Sequence, residues 1–255
     1  MGVLDLFRLD GKIALVTGAS KGIGQAIAVA LAEAGADVAC LDYLSCEATE
    51  AGIQRAGRRA LSISCDLGKA QVSDLAGVVE QVIQHFGALH ILVNNAGITR
   101  PNPALQFNEK DYDDEAQINQ KALFFLSQAA ARQMAAAGGG KIVNVASLNA
   151  FVGGTYASSY TGTKSAVAGF THAFAVEWAH LGIHVNAIAP GFVKTDNTEN
   201  MWSDTAFYQR ITESIPARRW ATPQDFAGIA VFLASQASDY LHGTVIPVDG
   251  GKLVE

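Results

Sequence analysis

The chain has 255 residues, 49% of them hydrophobic and 16% charged, with 25 glycines and a net charge of −6. So apolar a composition excludes a disordered chain, and the acidic balance argues against bulk nucleic-acid binding, which draws on a positive surface. Cys40, Cys46 and Cys65 form no CxxC pair. Neither a disulfide framework nor a zinc site is therefore expected, and a reducing compartment fits. The opening MGVLDLFRLDGK lacks an apolar stretch of signal-peptide length, and Leu6 stands where a myristoylation signal needs Ser or Thr. No apolar run approaches the ~18 residues of a membrane span. The expectation is a cytoplasmic protein with a small-molecule substrate and no nucleic-acid or membrane partner.

Apolar runs of strand length alternate with helical patterns along the chain. Lys12–Thr17 reads as a buried strand, followed by a glycine-rich turn and a helix whose Ile27, Ala30 and Leu31 share one face. Further strands are expected at Asp37–Leu41, Leu61–Cys65, Ile91–Asn94, Lys141–Val145, His184–Ala189 and Thr244–Val248, with helical stretches at Val72–His85, Asp111–Ala137 and Tyr160–His180. Gly138-Gly139-Gly140 reads as a helix stop. Such alternation predicts an α/β protein: one doubly wound parallel sheet of about seven strands with helices on both faces. A single domain over residues 1–255 is expected, with the least regular and rather polar stretch, 192–215, as a substrate lid.

The first strand-to-helix turn carries the clearest chemical signal. Thr17-Gly18-Ala19-Ser20-Lys21-Gly22-Ile23-Gly24 places glycines where backbone N–H groups can approach a pyrophosphate at a helix N-terminus. The candidate cofactor-binding residues here are Gly18, Ser20, Lys21, Gly22, Ile23 and Gly24. The spacing is G-x3-G-x-G rather than G-x-G-x-x-G, and a bland turn would look similar. Asp42, 18 residues beyond Gly24 at the end of the second strand, is placed to accept hydrogen bonds from the adenosine ribose and to repel a 2′-phosphate. Lys21 pulls towards NADP(H), but Tyr43 and Leu44 leave no arginine there, and NAD(H) is the expected cofactor.

Tyr160 and Lys164 stand four apart in a helical pattern and so project from one face. Tyrosine ordinarily ionises near pH 10, and a neighbouring ammonium favours phenolate, which makes Tyr160 a candidate general acid/base. Ser147, at the end of KIVNVAS, can hold a substrate oxygen, and Asn119 lies in the preceding helical stretch. Taken singly, each also reads as an ordinary surface or strand-end residue.

Together with TGASKGIG at 17–24, Asp66, NNAG at 94–97, YTGTK at 160–164, PG at 190–191 and VDGG at 248–251, these residues resemble the short-chain dehydrogenase/reductase family over nearly the whole chain. The resemblance implies a Rossmann-type fold and a catalytic set of Asn119, Ser147, Tyr160 and Lys164. Tyr160 would be the acid/base, Lys164 would bind the nicotinamide ribose and lower the tyrosine pKa, Ser147 would orient substrate, and Asn119 would anchor a relay water. Asp66 and Leu67 would frame the adenine, while Asn94, Ala96 and Gly97 would line the cleft. Pro190, Gly191, Val193 (or Phe192) and Thr195 would border the nicotinamide. Family members are commonly tetramers, so a homotetramer is expected.

NNAGITRPNPALQF, NAIAPGFVKTDNTEN and IPARRW are further similar to the sugar-acid branch of the family, that of 2-dehydro-3-deoxy-D-gluconate and gluconate 5-dehydrogenases. A sugar acid needs a carboxylate partner, and Arg100 is the best placed, with a solvated loop arginine as its plain reading. Arg218 and Arg219 are further candidates. Ser147, Tyr160, Asn149 and Asn197 complete the expected substrate contacts. The alternatives are a 3-oxoacyl-carrier-protein reductase or another small-ketone or sugar-alcohol dehydrogenase, and outside enzymes a dinucleotide-sensing scaffold. His180 and His184 have i,i+4 spacing, but Gly182 interrupts the helix between them, and no metal is expected.

Overall fold

A computed structural model describes residues 2–255. Seven strands form one parallel sheet: β1 (Ile13–Thr17), β2 (Asp37–Asp42), β3 (Ala60–Ser64), β4 (Ile91–Asn94), β5 (Gly140–Val145), β6 (Ile183–Pro190) and β7 (Val245–Val248), in the spatial order β3-β2-β1-β4-β5-β6-β7. The chain departs from β1 first to one side and then to the other, so the strand order reverses between β1 and β4. A crevice opens there at the carboxyl ends of the strands. Side-chain alternation divides the core between the two faces of the sheet. Leu15, Leu41, Ile63, Leu92, Ile142 and Val185 pack on one face, and Ala14, Val16, Val38, Cys40, Val93, Val143 and Ile188 on the other.

Helices α1 (Gly22–Glu33), α2 (Glu47–Arg55) and α3 (Val72–Phe86) connect the first four strands. Gly87 closes α3 in the left-handed conformation, its N–H bonded to Ile83 O. The long helix expected over 111–137 is in fact divided. α4 (Glu109–Ala116), capped by Asn108 Oδ1 on the Asp111 N–H at 2.8 Å, runs into a π-helical segment at Gln117–Ala122 before α5 (Leu123–Ala136). Periodicity could not reveal this, because one extra residue per turn barely disturbs an apolar stripe. α6 (Ser158–Trp178) follows β5 and packs beside α5 through Phe124, Phe170 and Phe174.

Residues 192–215 are more ordered than expected. They hold α7 (Glu199–Trp202), α8 (Thr205–Glu213) and a 3-10 turn at Asp196–Thr198. Thr198 Oγ1 donates to Val193 O at 2.6 Å, and Trp202 Nε1 donates to Thr195 O at 3.0 Å. Polar composition suggested irregularity, whereas the polar groups are spent on caps and turns. α9 (Ala227–Ala234) then leads towards β7. Among the described residues no helix is long and apolar enough to cross a membrane.

Candidate active site

The glycine turn is built for close approach. Gly18 and Gly22 have φ of +64° and +60°, conformations that L side chains rarely adopt. A Cβ on Gly24 would lie 2.1 Å from Gly18 O, so α1 starts hard against the turn and its N-terminus opens into the crevice. Asp42 is nearly buried at the end of β2. Its Oδ2 accepts the Ser20 N–H and its Oδ1 the Leu44 N–H, both at 3.1 Å, which fixes the carboxylate beside the turn. Lys21 Nζ is paired with Asp196 Oδ2 at 3.0 Å, joining the turn to the 192–215 segment. Gly22 faces the Thr195 methyl, where an added Cβ would sit 3.6 Å away. Ile23 packs at the margin of the core.

The NNAG residues divide by strand parity. Asn94 pairs in register with Asn144 of β5, so both side chains stand on one face. The Asn94 Nδ2 donates to Asn144 Oδ1 and Ser127 Oγ, each at 2.9 Å, within the core. The Asn94 amide is thus committed to the core, which leaves its main chain for the cleft. The next residue, Asn95, does the work at the crevice: its Nδ2 donates to Thr17 O at 2.9 Å and Gly18 O at 3.0 Å, tying β4 to the glycine turn. Ala96 N–H is held by Thr17 Oγ1 at 2.9 Å. At Gly97 a Cβ would lie 3.3 Å from Asn119 Oδ1 and 3.4 Å from Lys164 Nζ, a close fit that those side chains would have to ease by a few tenths of an ångström.

Asn119 lies buried within the π-helical segment, its Oδ1 accepting the Ile98 N–H and its Nδ2 donating to Ile98 O, each at 2.9 Å. The Nδ2 also donates to Thr163 Oγ1 at 3.0 Å, which in turn donates to Tyr160 O at 2.8 Å. The Asn119 amide is thus committed to this frame. Lys164 is buried, and its Nζ donates to Val145 O at 2.7 Å. Loss of hydration pushes that ammonium down to about 8. The surrounding packing pushes the Tyr160 phenol up to about 12, Ser147 draws it back down, and Glu115 raises it further. The phenol therefore stands above its ordinary value, the Lys164 ammonium not offsetting the burial. That ammonium is turned to Val145 O and lies 5.7 Å from the ring centroid. Ser147 Oγ accepts the Asn149 N–H at 3.2 Å, leaving its own proton free to donate.

The remaining expected residues lie around this centre with mixed fortunes. Arg100 is half-exposed on the loop after β4, where its backbone N–H donates to Glu115 Oε1 at 2.5 Å and its Nε lies 3.8 Å from Asp111 Oδ1. The Asn102 N–H donates to Tyr156 O at 2.9 Å, which binds this loop to the approach to α6. Asn149 Nδ2 is committed to Thr161 Oγ1 at 3.1 Å, so its amide nitrogen props the Ser147 turn against α6. Asn197 is exposed on the turn after Thr195. Leu67 is buried in the core, whereas Asp66 is exposed, pairing with Lys69 at 3.1 Å and accepting the Gly68 N–H at 3.0 Å. Leu67 can therefore meet an adenine only through its backbone. Gly191 follows Pro190 at the end of β6, so close to Asp249 that a Cβ would be 2.9 Å from its Cα. The Val193 side chain is buried in the core. Arg219 forms a two-pronged pair with Asp225, at 2.7 and 2.8 Å, and Arg218 Nη1 donates to Glu213 O. Both arginines thus serve the turn after α8. His184 stacks on His242, not on His180, and no cluster of metal ligands occurs among the described residues.

Comparison with known proteins agrees with this geometry. The family model described as enoyl-(acyl carrier protein) reductase matches residues 18–252. The 2-dehydro-3-deoxy-D-gluconate 5-dehydrogenase of Dickeya dadantii is 48% identical over 252 residues, covering 98% of this chain and 99% of that protein. A gluconate 5-dehydrogenase from Burkholderia cenocepacia, solved with NADP and tartrate, has a TM-score of 0.94 and 35% identity over the full length of both chains. A structure from Agrobacterium tumefaciens with bound NADP is 46% identical, with a TM-score of 0.91 and coverage of 98% of this chain and 99% of that one.

Proposed function

The chain belongs to the short-chain dehydrogenase/reductase family, and from that premise we propose that it interconverts a secondary alcohol and a ketone on a six-carbon sugar acid, using NAD(H). The convergence of Tyr160, Lys164, Ser147 and Asn119 beside the Arg100 loop carries this reading. When bound, the nicotinamide supplies the acceptor or donor of hydride, and the protein supplies alignment and the proton. The glycine turn fits a dinucleotide, since three positions there exclude any side chain or favour none. In oxidation Tyr160 Oη takes the substrate hydroxyl proton, and in reduction it returns one to the carbonyl oxygen. Ser147, its oxygen steadied by the Asn149 N–H, donates its O–H to that same oxygen. Lys164, one N–H fixed on Val145 O, retains two for ribose hydroxyls and the proton path.

NAD(H) is favoured by the fixed Asp42 carboxylate and by the engagement of Lys21 with Asp196, which withdraws the one cation of the turn from a 2′-phosphate. Arg100 is the proposed partner of the substrate carboxylate, its weak 3.8 Å contact with Asp111 being readily exchanged. The test is a screen of gluconate-derived and uronate-derived acids with NAD+ and NADH, followed by absorbance of the reduced nicotinamide. Turnover of at least one such acid is expected. Reduction of 3-oxoacyl thioesters with no turnover of any sugar acid would overturn the assignment, and cofactor binding without turnover of any ketone or alcohol would point to a sensor.

A further inference from the structure

Glu115 has no part in the chemistry described above, yet it is fully buried at the last turn of α4, beside the reacting centre. Its Oε1 accepts the Arg100 N–H at 2.5 Å, while its Oε2 is buried with no hydrogen-bond partner. Helices α4–α5 and α6 run parallel, since Asn119 meets Thr163 and, further along, Phe124 meets Phe170 and Phe174. One helical turn back from the Asn119–Thr163 contact stand Glu115 and Ser159. Ser159 Oγ is likewise buried without a partner. The seam beside Tyr160 therefore contains two unsatisfied oxygens where carbon would pack better. Burying a carboxylate oxygen without a donor is costly, so this residue is not there for stability.

We propose that Glu115 is a positioning residue of the dehydrogenase reaction: its carboxylate fixes the loop that carries Arg100 and sets a negative charge beside the turn that bears Tyr160. The first role follows from the Arg100 N–H contact, assisted one turn earlier by Asp111 on the Arg100 side chain. In the second role, Glu115 opposes ionisation of the phenol, against Ser147 from the end of β5, with the Lys164 ammonium on the same helix as the tyrosine. The charged groups around Glu115 are thus Arg100 from the β4 loop, Asp111 on its own helix, and Tyr160 and Lys164 from α6. Tyr160 is held as the protonated acid, ready to donate to a ketone. The assignment of Arg100 to substrate rests on the sugar-acid reading, whereas the charge effect does not.

Two variants separate the roles. Glu115→Gln keeps an oxygen for the Arg100 N–H and removes the charge. Glu115→Leu fills similar space with carbon and removes both, and circular-dichroism melts of the two confirm folding. In Glu115→Gln the acid limb of the kcat/KM profile for alcohol oxidation is expected to move to lower pH by roughly half a unit, with KM for the acid little changed. In Glu115→Leu the same displacement is accompanied by a rise in KM of about tenfold. An unmoved acid limb in Glu115→Gln overturns the charge role, and an unchanged KM in Glu115→Leu overturns the loop role. The pH measurement needs only an alcohol that the wild-type enzyme oxidises. It therefore reads Glu115 even if no sugar acid is turned over, a result that would count against the substrate reading instead.

Discussion

Replacing Asp42 with Asn removes one charge and little else, and so isolates the basis of cofactor choice. The carboxylate is 8% exposed and held by two backbone N–H groups, so it cannot swing away from an incoming 2′-phosphate. Two like charges about 4 Å apart repel by about 1 kcal/mol in water and about 4 kcal/mol at an effective dielectric near 20. The mouth of the glycine turn lies between these limits, which gives about 2 kcal/mol, or roughly thirtyfold in favour of NAD. The Lys21–Asp196 pair is exposed on both sides and contributes at most about 1 kcal/mol, so it cannot cancel that preference. In Asp42→Asn the side-chain oxygen still accepts one of the two N–H groups. The ratio of kcat/KM for NAD+ to that for NADP+ is expected to fall at least about tenfold, with the fold intact by thermal melt. Initial rates of reduced-nicotinamide formation at saturating sugar acid measure both constants. A ratio that stays within about twofold of wild type, or a wild-type enzyme that uses both cofactors equally, refutes the reasoning. Bound NADP in two solved relatives makes the measurement decisive.

Tyr160→Phe should lower kcat roughly a thousandfold or more, while NADH binding by fluorescence stays nearly intact; retention of a tenth of the activity would remove Tyr160 from the acid/base role. Arg100→Ala should raise KM for the sugar acid well beyond threefold with a smaller effect on kcat, as loss of a charged hydrogen bond of about 1.5–3 kcal/mol requires. His184 is pushed down to about 4 by burial beside His242 and Lys141, so the folded state binds its proton less readily than the unfolded chain. Its stabilising effect is complete above about pH 6.5 and is lost as pH falls towards 4, and solvent screening of the partly exposed imidazole holds it to about 2 kcal/mol. His184→Gln should flatten the decline in melting temperature across that interval, and an identical acid slope in both proteins would exclude the imidazole as its source.

Much of this molecule is legible in its residue order. Seven apolar runs with intervening helices determine the parallel sheet, because strands buried on both faces need continuous apolar side chains. The glycine turn and the four-residue spacing of Tyr160 and Lys164 are likewise local, set by backbone sterics and helical pitch. Tertiary structure decided the direction in which neighbouring side chains point and the surroundings in which each titrates. Strand register turned Asn94 into the core and left Asn95 to brace the cofactor turn. A π-helical segment placed Asn119 against Ile98 and Thr163. Burial holds the Tyr160 phenol above its ordinary value, and Glu115, itself buried where α4 packs against α6, adds to the rise although a lysine stands four residues away. Sequence spacing specifies which groups share a helix face, but a pKa depends on hydration and on charges from every neighbouring element, and those meet only when the chain is folded.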